Sequence, residues 1–431
     1  MPMTRFLRVW AICLVGFALA TVCLTVGVDP YGILGTPRIP GLTADKPAAA
    51  DWPRLTKSYM VERVQPATIL LGSSNVDVGI DPDSPAWPAA SRPVFNLAID
   101  GAGPQTQFEY LQHALVTTSP KLVLVGVSFE DALSYPPDPA RRLSADNAAQ
   151  WSYEERLRTR PNGEPNPDYG LARLKDLAFA TLSLKAVRDS ILTLVDQGDR
   201  FATYQTAHGQ NDGGKFLRWA VSEGQYSLFL DKDRQKTREF ARWRRQPMTE
   251  VAPVGDLIRL AQRHGVRVIV FIIPSHAEEL EIWRQLGMTP FYQAWKADLA
   301  GVVEAAETAD NPVPLWDFSG FPEYTTEKVP APGDLSTTLK WIWEPIHFRP
   351  QLGTLMVERM VDGTGPEGLG ARLTTADLPG RLQAYAEAQS AWVAEHPADV
   401  ARIADVVAAA IKSVCGRIEG DCVDLRATAS R

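Results

Sequence analysis

Short apolar runs alternate with amphipathic segments along most of the chain, and this pattern predicts an α/β fold. Strand-length runs rich in Val, Ile and Leu occur at 67–72, 94–98, 121–127, 266–272 and 313–317. These runs are mostly continuous in their apolar character, as strands buried on both faces of a parallel sheet should be. Helical patterns intervene, for example at 104–119 and 255–265. The rhythm predicts a three-layer α/β/α sandwich around a parallel sheet of five strands.

The first thirty residues carry a different pattern, which predicts a membrane-spanning helix. The stretch from Val9 to Val28 has no charged residue, and its helical length of roughly 30 Å matches the hydrocarbon core of a bilayer. Arg5 and Arg8 precede it, so the positive-inside rule places the N-terminus in the cytoplasm and the rest of the chain outside. Cleavage of the stretch as a signal peptide is the less favoured alternative.

The remaining pattern divides the chain into further segments. Residues 1–30 form the predicted anchor, and the Pro- and Gly-rich residues 31–63 predict an extended connector. The strand–helix rhythm occupies a main domain at 64–365, interrupted by a predicted helical insertion at about 135–250. The polar, Ala-rich segment 366–431 predicts a helical C-terminal tail, and its pattern indicates no particular role.

Composition and charge narrow the functional classes. The chain of 431 residues is 45% hydrophobic and 22% charged, which is typical of a globular protein. Its net charge is −7 and its densest basic run, 236–246, is short, so no nucleic-acid partner is expected. Outside the cytoplasm Cys415 and Cys422 could form a disulfide, and two free thiols are the equal alternative.

Polar residues follow the first predicted strand directly, in the sequence Gly72-Ser73-Ser74-Asn75. Open α/β sheets bind ligands at the carboxyl ends of their strands, so a serine hydroxyl here is a candidate nucleophile. The N–H groups at the start of a following helix would help to stabilise an oxyanion. The alternative is that one of these residues only caps that helix.

A second candidate element is the sequence WEPIH, in which Glu344 precedes His347 by three residues. A histidine ahead of a helix can act as a general base when a carboxylate fixes its tautomer. The alternative is a surface His–Glu pair without a catalytic role. Among the six histidines, His276 is the rival candidate, because it also follows a predicted strand.

Together these motifs resemble those of the SGNH hydrolases, the GDSL-like esterases, over roughly residues 64–362. A Gly-x-Ser follows the first strand, Asn-x-Ala-x-x-Gly follows the second, and acid-x-x-His precedes the last helix. The resemblance implies a flavodoxin-like fold in which Ser74 is the nucleophile, His347 the base and Glu344 its acidic partner. It also implies oxyanion donors on the backbone N–H groups of Ser74 and Gly101, and no metal or nucleotide cofactor.

The chain departs from the family pattern at several positions. Ser73 and Glu344 both stand where that family more often has Asp. The third block is usually Gly-x-Asn, whose Asn side chain completes the oxyanion hole, and here it ends in Ser128. Losing one such donor typically costs ~100- to 1000-fold in rate. Either Ser128, Asn75 or Asn96 replaces the donor, or the site is weak.

With the anchor, the resemblance implies a serine esterase or O-acyltransferase on the bacterial inner membrane, single-pass, with its main domain periplasmic or extracellular. The expected substrate is an acyl ester, acetyl in the first instance, on a cell-surface or exported polysaccharide. Four aromatic residues would suit stacking on sugar rings, or belong to the core: Trp316, Trp341, Trp343 and Phe348.

Two alternatives stay open. The first is a catalytically inactive SGNH-like scaffold that binds glycan or organises a polysaccharide-export or cell-envelope assembly, and the altered third block favours it. The second is a plain flavodoxin-like binding domain. The expected partners are therefore an acylated glycan, the inner membrane and proteins of the cell envelope.

Overall fold

The computed structural model describes residues 2–134, 154–243 and 248–415. Internal contacts divide the described chain into two compact units. The first unit consists of residues 2–66, 109–119 and 154–215. The second consists of residues 67–108, 120–134, 216–243 and 248–415. The predicted insertion therefore contributes to both units, and its residues 135–153 and 244–247 lie outside the described part.

The α-helices within the described residues are α1 (Pro2–Val28), α2 (Pro47–Ala50), α3 (Pro53–Val64), α4 (Ser74–Gly79), α5 (Pro104–Leu115), α6 (Phe129–Ala132), α7 (Tyr169–Leu182), α8 (Leu184–Val195), α9 (Gly214–Ser222), α10 (Gln225–Trp243), α11 (Ala252–Arg263), α12 (Ala277–Gln285), α13 (Thr289–Ala306), α14 (Pro350–Val357), α15 (Leu378–Glu395) and α16 (Pro397–Cys415).

The strands are β1 (Thr68–Leu71), β2 (Val94–Asn96), β3 (Leu122–Val127), β4 (Leu133–Ser134), β5 (Met248–Thr249), β6 (Arg267–Ile272), β7 (Leu315–Asp317), β8 (Ile342–Glu344), β9 (His347–Phe348) and β10 (Ala371–Arg372).

The main sheet belongs to the second unit and has the strand order β10-β7-β6-β3-β1-β2. The strands from β7 to β2 are parallel; Thr68, for example, pairs with both Val94 and Leu122. Each of the five predicted strands occurs in this sheet. The predicted strand number is nevertheless wrong, because β10 adds a sixth, antiparallel strand against β7. The fold is thus α/β with a mostly parallel six-stranded sheet.

The central strands are buried on both faces. Every residue of β1 and β3 is buried, and side chains alternate between the two faces of a strand. One apolar cluster joins Leu70 and Leu124 of the sheet to Val76 of α4 and Leu352 of α14. The turns at the carboxyl edge of β1 and β3 are therefore fixed to a rigid core.

The first unit contains the apolar helix and the segment predicted as a connector. Within the described residues, one helix, Met3–Val28, is long and apolar enough to cross a membrane or to be a signal anchor. The connector is not extended throughout, because α2 and α3 lie within it. Pro47 and Pro53 begin these helices, since a first-turn residue needs no intrahelical N–H bond.

In the described part of the C-terminal tail, β10 is followed by the helices α15 and α16, which belong to the second unit. Arg402 of α16 forms ion pairs with Asp233 of α10 and Glu278 of α12, at 3.1 and 2.6 Å. The tail thereby fixes α10, a helix that contributes to the site described below. Of the predicted disulfide, Cys422 lies outside the described residues, so the pairing with Cys415 stays a prediction.

Candidate active site

Ser74 occupies the first position of a short helix at the carboxyl end of β1. Gly72 follows the strand, Ser73 is the N-cap of α4, and Ser74 is the first residue of the helix. The Ser73 side chain makes no capping hydrogen bond to this helix. The Oγ of the half-buried Ser74 lies 2.8 Å from Nε2 of His347. The hydroxyl of Ser74 therefore contacts His347 and does not cap the helix.

Glu344 and His347 face each other across a tight antiparallel hairpin formed by β8 and β9. Oε1 of Glu344 is hydrogen-bonded to Nδ1 of His347, and Oε2 accepts from the backbone N–H of Ile346 at 3.0 Å. Both carboxylate oxygens are thus held, and the imidazole is directed with Nε2 toward Ser74. Ser74, His347 and Glu344 form one hydrogen-bonded chain.

The charge on Glu344 is maintained by its neighbours. Burial by itself raises the pKa of this carboxyl, but the adjacent His347 and Lys232 more than offset that effect and lower it to about 2. Lys232 approaches Oε1 with its Nζ at 3.6 Å. Glu344 is therefore a carboxylate at neutral pH, the state that can stabilise a protonated His347.

Two glycines allow the β8–β9 hairpin to approach the Ser74 helix closely. A side chain at Gly79 of α4 would overlap the ring of Phe348, which follows His347 directly. A side chain at Gly353 of α14 would overlap the carbonyl oxygen of Gly79. Because Gly79 lacks a Cβ, α4 packs closely against the hairpin that carries His347, and because Gly353 lacks one, α14 packs closely against α4.

Gly101 lies in the loop after β2, next to the turn that carries Ser74. The backbone N–H groups of Leu97 and Ile99 donate to Leu70 and Gly72 at 2.9 and 3.0 Å, which joins the two loops. Gly101 has a positive φ of 66°, a conformation that glycine adopts easily. Its N–H belongs to the same carboxyl edge of the sheet as Ser74, which itself lies in the first turn of a helix and has no intrahelical acceptor.

Asn96 is not available as the missing oxyanion donor. It is fully buried, and its Nδ2 donates to the carbonyl oxygens of Val76 and Ile80 at 2.9 and 3.0 Å. Its amide therefore holds α4 against the end of β2. Asn75 is also buried, and within the described structure its Oδ1 has no hydrogen-bond partner.

Ser128 is the N-cap of the short helix α6, and its hydroxyl is engaged with Asp131. The Ser128 Oγ–H donates to Oδ2 of Asp131 at 2.6 Å and the oxygen accepts from the Asp131 N–H at 2.9 Å. Ser73 also hydrogen-bonds to this carboxyl, whose pKa is raised to about 7 by burial and by neighbouring Glu130. The structure thus gives the Ser128 hydroxyl a partner other than a substrate.

The rival histidine has a structural role. His276 is buried, caps α12 by accepting from the Glu278 N–H at 3.3 Å, and contacts the Glu327 carbonyl through Nε2 at 2.9 Å. Its backbone N–H donates to Pro345 in the turn between Glu344 and His347. His276 therefore supports the hairpin that carries the His347 pair.

The aromatic residues near the site divide into two groups. Phe348 and Trp343 are buried, and Trp343 stacks on Phe216, whose ring also lies 5.1 Å from the imidazole of His347. Trp316 and Trp341 are half-buried. Phe348 and Trp343 therefore belong to the core. Of the half-buried pair, Trp316 stacks on Phe318, and the Nζ of Lys340 lies 4.0 Å from the ring centre of Trp341.

Sequence reasoning missed Lys232 and Asp131. Lys232 lies within the charged run of α10, where nothing in the local pattern distinguishes it from a solvent-facing lysine. Asp131 carried a weak signal, because a serine followed three residues later by an acid is typical of a helix N-terminus. Within the described residues, no group of three or more His, Cys, Asp or Glu side chains is arranged to hold a metal ion.

Comparisons of the chain with models of protein families and with curated proteins gave no match. The function proposed below therefore depends on the sequence motifs and on the geometry of the hydrogen-bonded residues Ser74, His347 and Glu344.

Proposed function

We propose that this protein is a membrane-anchored serine esterase or O-acyltransferase of SGNH type, with a three-layer fold and a Ser74–His347–Glu344 triad. The observation that carries the proposal is the 2.8 Å contact between Ser74 Oγ and His347 Nε2, supported from behind by Glu344. Such a chain at the carboxyl edge of a parallel sheet is the arrangement that activates a serine hydroxyl.

In the proposed reaction, Ser74 Oγ attacks the ester carbonyl carbon while His347 Nε2 takes its proton. The carbonyl π electrons move onto oxygen, and the tetrahedral intermediate collapses when His347 returns the proton to the leaving alkoxide. The acyl group then resides on Ser74. Water accepts it in hydrolysis, and a second hydroxyl accepts it in transfer, through the same steps in reverse.

The oxyanion would be held by the backbone N–H groups of Ser74 and Gly101. Asn75 is the third donor that the proposal retains, because it follows Ser74 directly and its side-chain amide carries N–H donors. Ser128 would contribute only if its bond to Asp131 were exchanged for one to substrate. The site is therefore expected to be slower than one with three preformed donors.

The proposed substrate class follows from location. With α1 in the inner membrane and the N-terminus cytoplasmic, the triad would work on the extracytoplasmic side. Acyl esters that are abundant there include those on cell-surface and exported polysaccharides, so an acylated glycan is the proposed substrate and cell-envelope proteins are proposed neighbours. The half-buried rings of Trp316 and Trp341 would supply stacking surface.

A non-catalytic scaffold is the second candidate, and one observation favours it. The hydroxyl at the third-block position is bonded to Asp131 at 2.6 Å, so the donor that the family pattern expects there is missing. In that case the preserved triad would be a remnant, and the protein would bind glycan without turnover.

The test is turnover of p-nitrophenyl acetate by the detergent-solubilised full chain. Ser74→Ala and His347→Ala should each abolish turnover above the spontaneous rate, while the neighbouring Ser73→Ala retains it. Equal turnover above the spontaneous rate in all four proteins would reject the triad. If none turns over the ester but glycan binding is retained, the scaffold is favoured.

A further inference from the structure

In the helical hairpin of α7 and α8 in the first unit, large apolar side chains are exposed, while small and polar side chains are buried. In α7 the buried residues are small or acidic: Ala172, Asp176 and Ala180. Large aliphatic side chains form its exposed stripe instead: Leu171, Leu174 and Leu182. A soluble helix directs such a stripe toward the core.

The second helix repeats the reversal. The buried residues of α8 are again small or polar: Ala186, Asp189, Ser190 and Thr193. Its exposed side chains include those of Leu184, Ile191, Leu192 and Val195. Outside α1, most of the exposed large apolar side chains of the described residues lie on this hairpin. Contiguous exposed apolar surface of this kind marks an interaction site.

Buried hydrogen bonds fix the inward face of the hairpin. Asp176 accepts from the hydroxyl of Tyr59 at 3.0 Å, and Asp189 accepts from the hydroxyl of Tyr31 at 2.7 Å. Turning the leucines inward would leave both carboxylates without these partners, which is unfavourable for a buried charged group. The aliphatic stripes therefore face outward in the folded protein.

The hairpin lies against the outer end of α1. Thr25, in the last turn of α1, donates its hydroxyl proton to the carbonyl oxygen of Thr181 at 2.9 Å. Thr181 is near the tip, where Ser183 joins the two helices. Residues 3–20 of α1 are all exposed, and Thr21 is the first residue of the helix that is partly buried by the rest of the first unit. The tip thus lies at the end of the apolar helix, at the level where a spanned bilayer would end.

The lengths of α7 and α8 and the basic residues on them indicate that a lipid surface covers their exposed aliphatic stripes. Helices of 14 and 12 residues measure ~21 and ~18 Å, less than the ~30 Å hydrocarbon core, so neither crosses it. Lys175 and Arg188 are exposed on the same helices and could reach anionic headgroups. Short amphipathic helices with apolar and basic residues lie in the plane of the membrane interface.

We propose that the α7–α8 hairpin lies in the outer boundary of the bilayer beside α1, with its aliphatic stripes among the acyl chains. The chain is then held by an interfacial hairpin as well as by a spanning helix. The proposal rests on the anchoring role of α1, which is part of the proposed function, and not on any reaction at Ser74.

The experiment uses the full chain, with its four native cysteines replaced by alanine, in vesicles of phosphatidylethanolamine and phosphatidylglycerol. Single cysteines at Leu184→Cys or Ile191→Cys carry a nitroxide spin label. Its collision rates with oxygen, which concentrates in lipid, and with a water-soluble nickel complex are measured. Val15→Cys in α1 reports on anchoring, and Val116→Cys, an exposed apolar position of the first unit, is the aqueous control.

The proposal predicts that the labels at 184 and 191 collide mainly with oxygen, as the label at 15 does, while the label at 116 collides mainly with nickel. Lipid contact at 15 with nickel contact at 184 and 191 would overturn the hairpin proposal and leave α1 as the anchor. Labels at 184 and 191 shielded from both reagents would also overturn it, in favour of a protein partner. Nickel contact at 15 as well would reject the anchoring itself.

Discussion

Two turns at the carboxyl edge of the sheet contain the same Gly-x-Ser pattern and differ in what the serine contacts. Gly72 and Ser74 follow β1, while Gly126 and Ser128 belong to the neighbouring β3 and the turn that follows it. The Ser74 hydroxyl contacts His347, and the Ser128 hydroxyl contacts Asp131. A position at the end of a strand therefore marks a serine as a candidate, and the partner of its hydroxyl distinguishes the proposed nucleophile, Ser74, from the helix cap, Ser128.

The difference follows from where each helix begins. After β1 the N-cap is Ser73, so Ser74 is already the first helical residue. After β3 the N-cap is Ser128 itself, because α6 begins one position later relative to its glycine. The two N-cap serines, Ser73 and Ser128, both hydrogen-bond to Asp131. A shift of one residue thus separates a serine that faces a histidine from one that faces a carboxyl.

The largest expected effect comes from Glu344→Gln. The neutral amide cannot stabilise a protonated His347, and its N–H can donate to Nδ1, which favours the imidazole tautomer with the proton on Nε2. We therefore expect kcat for p-nitrophenyl acetate to fall ~10³- to 10⁴-fold. KM should change little, because Glu344 is buried behind the histidine. A loss smaller than about tenfold would mean that Glu344 does not orient the base.

Asp131→Asn tests the β3 turn through stability. Burial raises the pKa of Asp131 from 3.8 in the unfolded chain to about 7 in the folded protein. The folded state therefore binds this proton more tightly between these two pH values. Stability is therefore lost as pH rises from 3.8 through about 7, by ~4 kcal/mol for this group. The variant should lack that part of the pH dependence of the thermal unfolding midpoint. Parallel midpoint–pH curves for the two proteins would contradict the raised pKa.

Ser128→Asn sharpens the comparison by supplying the side-chain amide that the family pattern has in its third block. Asparagine is also a good N-cap, so α6 should be preserved. We expect kcat to rise ~10- to 100-fold, because one oxyanion donor is restored. Ser128→Ala, the matched control, should alter kcat less than about tenfold, because the hydroxyl is already bonded to Asp131. A fall with asparagine as large as with alanine would place the amide outside the oxyanion site.

The smallest expected effect is that of Lys232→Met. Removing the cation takes one positive charge away from the Glu344–His347 pair. A proton therefore binds the pair more readily, and the acid limb of the kcat–pH profile should move upward by ~1 pH unit. Activity at neutral pH should fall only slightly, since Glu344 stays ionised there. Superimposable profiles below about pH 5 would indicate that Lys232 does not act on the triad.

The sequence patterns predicted the parts of the fold that depend on local periodicity. The five buried runs occur as strands, and the turn after β1 and the WEPIH segment converge. The two-residue strand β10 was missed, because such a short segment has no period and forms only through its pairing with β7. Asn96 was one of three alternatives for the missing oxyanion donor, and it does not fit that role because its Nδ2 donates to three carbonyl oxygens of residues 76–80.

Long-range contacts explain the other omissions. Lys232 approaches Glu344 because α10 packs against β8, more than a hundred residues later in the chain. The α7–α8 segment was recognised as helical, yet periodicity gave no sign that its apolar stripe faces outward. That orientation is set by Tyr31 and Tyr59, which bind the acids of the opposite face.

The most direct test of the central claim is modification of the full chain by a serine-reactive fluorophosphonate, with the labelled residue identified by mass spectrometry. The account predicts a single adduct on Ser74 that persists in Ser128→Ala, declines sharply in His347→Ala and is absent in Ser74→Ala. Absence of an adduct in the folded wild-type protein, or an adduct on Ser73 or Ser128 instead, would contradict it.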